Sequence, residues 1–201
     1  MKKLELNKIS LTEAAAIRVA EWVNTQLKED NKAYLKLKLG LEMLFINITK
    51  MLIVYSMAYI LNLLTATIIF HLSYYLIRKN AYGVHAKTSA LCSLISVLYF
   101  VGIPYVATLV TIPNAIILVI YLINAVILYF FAPSFTRKSA KMSDSRKLKL
   151  RNQSMMMCFI LMLVTLFIAT VTTKNLLTFG ATLACLLTIQ KHSNLEGRES
   201  Y

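Results

Sequence analysis

His85 and Cys92 are the residues of this chain whose types and spacing offer chemistry. They lie in the basic interruption Arg78-Lys79-Asn80-Ala81-Tyr82-Gly83-Val84-His85-Ala86-Lys87-Thr88-Ser89-Ala90-Leu91-Cys92, set between two long apolar runs. A thiol becomes a strong nucleophile when an imidazole or the positive end of a helix dipole favours its thiolate. Both are within reach of Cys92. Thr88 or Ser89 would cap a helix that starts there, putting Cys92 near its first turn, where free backbone N–H groups also suit a developing oxyanion. Along one continuous helix, seven residues would hold the two side chains about 10 Å apart at ~1.5 Å per residue, too far for proton transfer between base and nucleophile. A cysteine-protease dyad therefore requires a helix break between His85 and Ser89, and Gly83, lacking a Cβ, permits a sharp turn just before it. The alternative is a snorkelling histidine beside a small packed cysteine.

The remaining reactive side chains point elsewhere. Cys158, after Met155, Met156 and Met157, is a rival nucleophile with no histidine near it in sequence, and reads better as packing. Cys185 falls in mid-span. Three cysteines without paired spacing argue against a disulfide framework and leave free thiols. His71 could join His85 and Cys92 around a zinc ion, but the spacing matches no familiar zinc motif, so no metal is expected. Neither a glycine-rich phosphate loop nor a pair of catalytic carboxylates is present. A His–Cys dyad needs no cofactor, and none is expected.

The elements that must position this pair are membrane helices. The 201-residue chain is 58% hydrophobic, with a mean hydropathy of +0.62, against about 45–50% apolar for soluble domains. The excess lies in runs near the ~20 residues that cross a bilayer. Residues 41–77 split at Asn62 into two short spans, about 41–60 and 63–77. Further spans are expected at about 89–109, 114–132, 154–172 and 176–190, with Pro104 and Pro113 bracketing one loop and Lys174-Asn175 making a tight turn. Ahead of them, Ile9, Glu13, Ala16, Ala20, Val23 and Leu27 recur at helical steps, with Trp22 near that face, as in a helix lying on the membrane surface; packing on cytoplasmic loops is the other option. Met1-Lys2-Lys3 is not followed by the apolar stretch of a signal peptide. The expected fold is thus an all-α polytopic membrane protein: an amphipathic interfacial segment at 1–40, a six-helix domain at 41–190 and a polar tail at 191–201.

Charge supports the span count. The formal net charge is +13, and the cations gather at 1–40, 78–88 and 134–151, where the last segment holds Arg137, Lys138, Lys141, Arg146, Lys147, Lys149 and Arg151 against Asp144 alone. Six spans put these segments and both termini on the cytoplasmic face, as the positive-inside rule asks. No soluble basic domain is left over for nucleic acid. Lys50, inside the first span, must snorkel, pair or face a wet cavity.

The run from Arg78 to Ala86, with Cys92 seven residues after the histidine, closely resembles the core of the accessory gene regulator B (AgrB) family. The similarity extends to Lys38-Leu39-Gly40-Leu41-Glu42, Asn47-Ile48-Thr49-Lys50, Ser73-Tyr74-Tyr75-Leu76-Ile77 and Tyr129-Phe130-Phe131-Ala132-Pro133. The resemblance implies a quorum-sensing membrane endopeptidase acting as a homodimer in the bilayer of the cell membrane. His85 would be the general base and Cys92 the nucleophile. Arg78, Gly83, Ser89 and Lys50 are the supporting or substrate-binding candidates. The partner would be an AgrD-like propeptide, cut through a Cys92 thioester and cyclised to a thiolactone. Its acidic tail would be drawn to Arg137, Lys138, Lys141, Arg146 and Lys147. The rival from another class is a non-enzymatic carrier that exports or presents a peptide, which would need polar residues lining a path through the spans.

Overall fold

A computed structural model describes residues 11–27, 30–81, 94–134 and 142–189. Every described element is helical. The seven helices are α1 (Leu11–Leu27), α2 (Asn31–Ile60), α3 (Leu64–Ala81), α4 (Leu94–Leu109, with a π turn at Leu98–Gly102), α5 (Asn114–Phe131), α6 (Asp144–Phe167) and α7 (Val171–Leu186). Three stretches are long and apolar enough to cross a membrane: Ala33–Ile60, Asn114–Phe131 and Asp144–Phe167. The chain divides into two compact units, Met1–Ser56 and Met57–Tyr201.

In the first unit, α1 occupies the stretch whose apolar residues recur at helical steps. Ala16 and Ala20 are buried on it, and Trp22 is exposed. The next helix begins where Asp30 Oδ1 accepts the Asn31 N–H at 2.7 Å and the Asp30 carbonyl accepts from Ala33 and Tyr34. It does not wait for residue 41. The lysines before Gly40 are good helix formers, and a single glycine costs only about 1 kcal/mol in a helix interior, so α2 runs through Gly40 without a break. Its 30 residues span ~45 Å at ~1.5 Å per residue, longer than the ~30 Å hydrocarbon core.

The expected turn at Asn62 is present, and its chemistry is local. Asn62 has φ of 56°, a left-handed conformation that asparagine tolerates better than most residues. Its N–H donates to Tyr59 O, while the Leu63 N–H reaches back to Ala58 O at 2.8 Å, together the Schellman pattern that closes a helix. α3 then outlasts its expected end at residue 77, so Arg78 and Lys79 form its last turn, where cations complement the helix dipole.

Three further boundaries differ from the sequence expectation. Pro104 lies inside α4 and not at a loop edge. Proline supplies no N–H to the carbonyl four residues back and crowds it, and the wider π turn immediately upstream accommodates this, leaving the loop at 110–113. α6 begins at Asp144, ten residues before the expected 154. The Ser143 carbonyl accepts from Arg146 and Lys147 N–H groups, so those two cations stand on the first turns of a helix and not in a loop. The turn expected at Lys174-Asn175 lies instead at Ile168–Thr170. Asn175 is fully buried inside α7, and its amide donates to Val110 O at 2.6 Å and Ala107 O at 3.2 Å. Lys174 Nζ bonds Asn114 Oδ1 at 2.8 Å. The Asn175 amide thereby supplies donors to carbonyls that the end of α4 leaves open.

α7 is the most enclosed helix of the second unit: Asn175, Leu176, Leu177, Thr178, Gly180, Ala181, Leu183, Ala184 and Cys185 are all buried. Gly180 faces Phe70 and Ser73 of α3 so closely that a Cβ would collide with the Ser73 hydroxyl and the Phe70 carbonyl. Small residues allow such backbone approach between membrane helices. Ile77, Tyr121, Leu128, Cys158, Leu161, Ala181 and Cys185 form the core that joins α3, α5, α6 and α7. Phe70, Ala107, Leu176 and Leu183 join α3, α4 and α7.

Candidate active site

His85, Cys92, Gly83 and Ser89 lie outside the described residues, as do Arg137, Lys138 and Lys141. What the structure describes is the frame in which α3 ends, just before residues 82–93. That frame is one end of the second unit. The Ala81 carbonyl, at the end of α3, accepts the Ser134 N–H at 2.7 Å just after α5. Arg78 Nη1 donates to Leu187 O at 3.0 Å, at the end of α7. The Arg151 guanidinium, on the second turn of α6, stands 5.0 Å over the ring of Tyr129 near the end of α5, a cation–π distance. The ends of α3, α5 and α7 and the start of α6 therefore meet.

Charge separates along the same axis. Among the described residues of this unit, Arg78, Lys79, Arg146, Lys147, Lys149 and Arg151 all belong to this end, with Asp144 the one acid. Among the described residues, Lys174 is the one cation near the opposite turns. Lys147 and Asp144 form an ion pair at 3.0 Å. Asp144 is almost wholly exposed, so the pair is worth little to stability. Arg146 is exposed, and the Nε of Arg151 is buried with no hydrogen-bond partner among the described residues. The result is an electropositive end of the bundle, where like-signed charges reinforce one another's field.

Of the supporting candidates, Arg78 is thus placed at the end of α7 and Lys50 midway along α2, half-buried, in the first unit. His71 stands ten residues before Ala81, roughly 15 Å up the helix, with its ring 4.6 Å from that of Phe100. Among the described residues no group of three His, Cys, Asp or Glu could hold a metal ion. Cys158 and Cys185 are both buried in the core that joins α3, α5, α6 and α7, and a thiol so enclosed offers no approach to a peptide bond.

Sequence reasoning missed the Arg151–Tyr129 stack, the part of Asn175 and the packing at Gly180. A glycine within an otherwise helical run was the available signal for the last. The others depend on partners remote in the chain. The buried polar side chains also bear on the carrier reading. Tyr121 Oη and Thr165 Oγ1 bond at 2.9 Å, and Asn124 donates to Thr182 Oγ1 at 3.0 Å, so these groups tie α5 to α6 and α7 and do not line an open path.

A family model described as accessory gene regulator B matches residues 16–190. A putative AgrB-like protein of Clostridium acetobutylicum is 34% identical over 161 residues, covering 80% of this chain and 77% of the relative. Accessory gene regulator protein B of Staphylococcus carnosus is 32% identical over 154 residues, covering 75% and 80%. A putative AgrB-like protein of Listeria innocua is 33% identical over 154 residues, covering 77% and 76%. No solved structure matches the chain. The match across nearly all seven helices, with relatives aligned over most of their own length, places this chain in the AgrB family of quorum-sensing membrane peptidases.

Proposed function

We propose that the chain is a membrane-embedded cysteine endopeptidase that removes the C-terminal tail of an AgrD-like propeptide and promotes its cyclisation. Family membership supplies the processing role; the resemblance implies the thioester and thiolactone steps, and the chemistry of a His–Cys pair is consistent with them. His85 takes the Cys92 proton, and the thiolate attacks the scissile carbonyl. The C–N bond breaks, His85 returns the proton to the leaving amine, and the peptide is held as a Cys92 thioester. A cysteine thiol within the peptide then attacks that thioester. Cys92 leaves as thiolate and is reprotonated, and a thiolactone is released. Exclusion of water keeps hydrolysis from overtaking this second transfer.

Gly83, Ser89, Arg78 and Lys50 support the site or contact the substrate. Arg137, Lys138, Lys141, Arg146 and Lys147 draw the acidic tail. The membrane domain comprises six spans within residues 41–190, built on α2 to α7, with 1–40 interfacial and 191–201 a tail. Both termini and the site face the cytoplasm, and the enzyme works as a homodimer.

The observation that carries this reading is the convergence of four helix ends and six cations at the end of the bundle where α3 stops, just before residues 82–93. The test is reconstitution of the full chain in liposomes with a candidate precursor and mass spectrometry of the Cys92 peptide. A thioester adduct and tail release are expected, and Cys92→Ala abolishes both while leaving the protein inserted. Tail release by Cys92→Ala at the parent rate would overturn the assignment.

A further inference from the structure

Arg151 has a charge that meets no acid among the described residues. Its Nε is buried and has no hydrogen-bond partner there, and its guanidinium stands 5.0 Å over the ring of Tyr129. Asp144 lies two turns earlier on α6, almost wholly exposed and paired with Lys147 at 3.0 Å. A buried N–H without an acceptor is costly, and the planar fork of arginine fits the oxygens of a phosphate or a carboxylate. The stack on Tyr129 holds that fork at the surface where α5 ends.

An exposed apolar stripe leads away from the same ring. Tyr129, Val126, Leu122 and Val119 follow one another on α5 at three- and four-residue steps, and each is 50–56% exposed. From Tyr129 to Val119 is about 15 Å at ~1.5 Å per residue, half of the ~30 Å hydrocarbon core and so the depth of one leaflet. On the neighbouring helix, Lys149 is exposed as well and heads a stripe that continues through Met156 and Leu163. A cation set at the head of an apolar surface one leaflet deep matches a phospholipid, polar end and acyl chain together. An acidic peptide in water would leave the stripe unused.

We infer that Arg151 and Tyr129 form a headgroup site for an anionic phospholipid. Its phosphate accepts from the Arg151 guanidinium, Lys149 adds to the attracting field, and an acyl chain lies along the α5 stripe. Phosphatidylcholine has the same phosphate, but its choline cation is repelled by these two side chains. Preference for phosphatidylglycerol therefore reads the site. It does not depend on which residue is the nucleophile.

Native mass spectrometry of the purified full chain, released from neutral detergent after incubation with equimolar phosphatidylglycerol and phosphatidylcholine, tests this. The parent is expected to retain phosphatidylglycerol over phosphatidylcholine by roughly tenfold, the scale of one charge-assisted hydrogen bond. Arg151→Gln should bring that ratio close to one. Arg151→Lys, which keeps the charge without the fork, and Tyr129→Leu, which removes the ring beneath it, should each lie between. Lys174→Gln, at the opposite turns, should keep the parent ratio. Circular dichroism establishes that each variant is folded; if Arg151→Gln is not, the lysine and leucine variants decide. Three results overturn the inference: no preference in the parent, a parent-like ratio in the Arg151 and Tyr129 variants, or an equal loss in Lys174→Gln, which would mark a response to net charge alone. Displacement of phosphatidylglycerol by a soluble tetra-aspartate peptide, lost in Arg151→Gln, would make this a peptide site and overturn it too.

Discussion

Gly180→Ala tests the closest helix contact in the second unit. The added methyl group would sit well inside van der Waals contact with both the Ser73 hydroxyl and the Phe70 carbonyl. Carbon atoms pack best at about 3.5–4.0 Å, so α3 and α7 would have to separate by roughly an ångström. Overpacking typically costs about 1–3 kcal/mol. The upper end is expected here, since the Phe70 carbonyl belongs to helix backbone and cannot rotate aside. At 1.4 kcal/mol per factor of ten, a loss of about 3 kcal/mol changes the folding equilibrium by roughly 10²-fold. Reversible unfolding in bicelles titrated with SDS, followed by circular dichroism, measures it. Ser73→Ala in the same background removes the hydroxyl obstacle and leaves the carbonyl, so less than half the loss should return. A Gly180→Ala variant within about 0.5 kcal/mol of the parent, the range of ordinary surface changes, would refute the packing argument.

Asn175→Leu leaves the Val110 and Ala107 carbonyls without their side-chain donor, and a buried group left unpaired costs about 1–3 kcal/mol; the same unfolding assay reads this, with Asn175→Gln expected to recover little because its amide sits one methylene too far out. Arg78→Gln should weaken the link between α3 and the end of α7 by about 1.5–2 kcal/mol, the lower part of the range for a charged hydrogen bond because the site is half-buried. Arg78→Lys should keep the charge but not the guanidinium geometry, so tail release in liposomes should fall for both variants, further for the glutamine.

The residue chemistry itself was legible from the chain: a histidine and a cysteine seven apart in a basic interruption, and cations gathered where loops were expected. Whether the two side chains meet depends on residues 82–93, outside the described residues, which is why their assignment stands as a proposal. The helical fold class was legible too, because apolar length is a property of the chain. Hydropathy is less informative for α7. Its faces meet other helices more than lipid, so small and polar residues such as Gly180, Thr178 and Asn175 serve it as well as leucine.

Sequence by itself determined what short-range physics controls. Asn62 ends α2 because asparagine accepts a left-handed backbone, and Pro133 follows the end of α5 because proline cannot extend a helix. Tertiary structure decided what depends on partners far along the chain. Asn175 reads as a turn former until the α4 carbonyls, some 65 residues earlier, receive its amide within α7. Arg78 reads as a loop cation until Leu187, 109 residues later, supplies its acceptor. The reason is common to both: a buried polar group must find a partner in the protein, and only the packing of helices against one another brings that partner near.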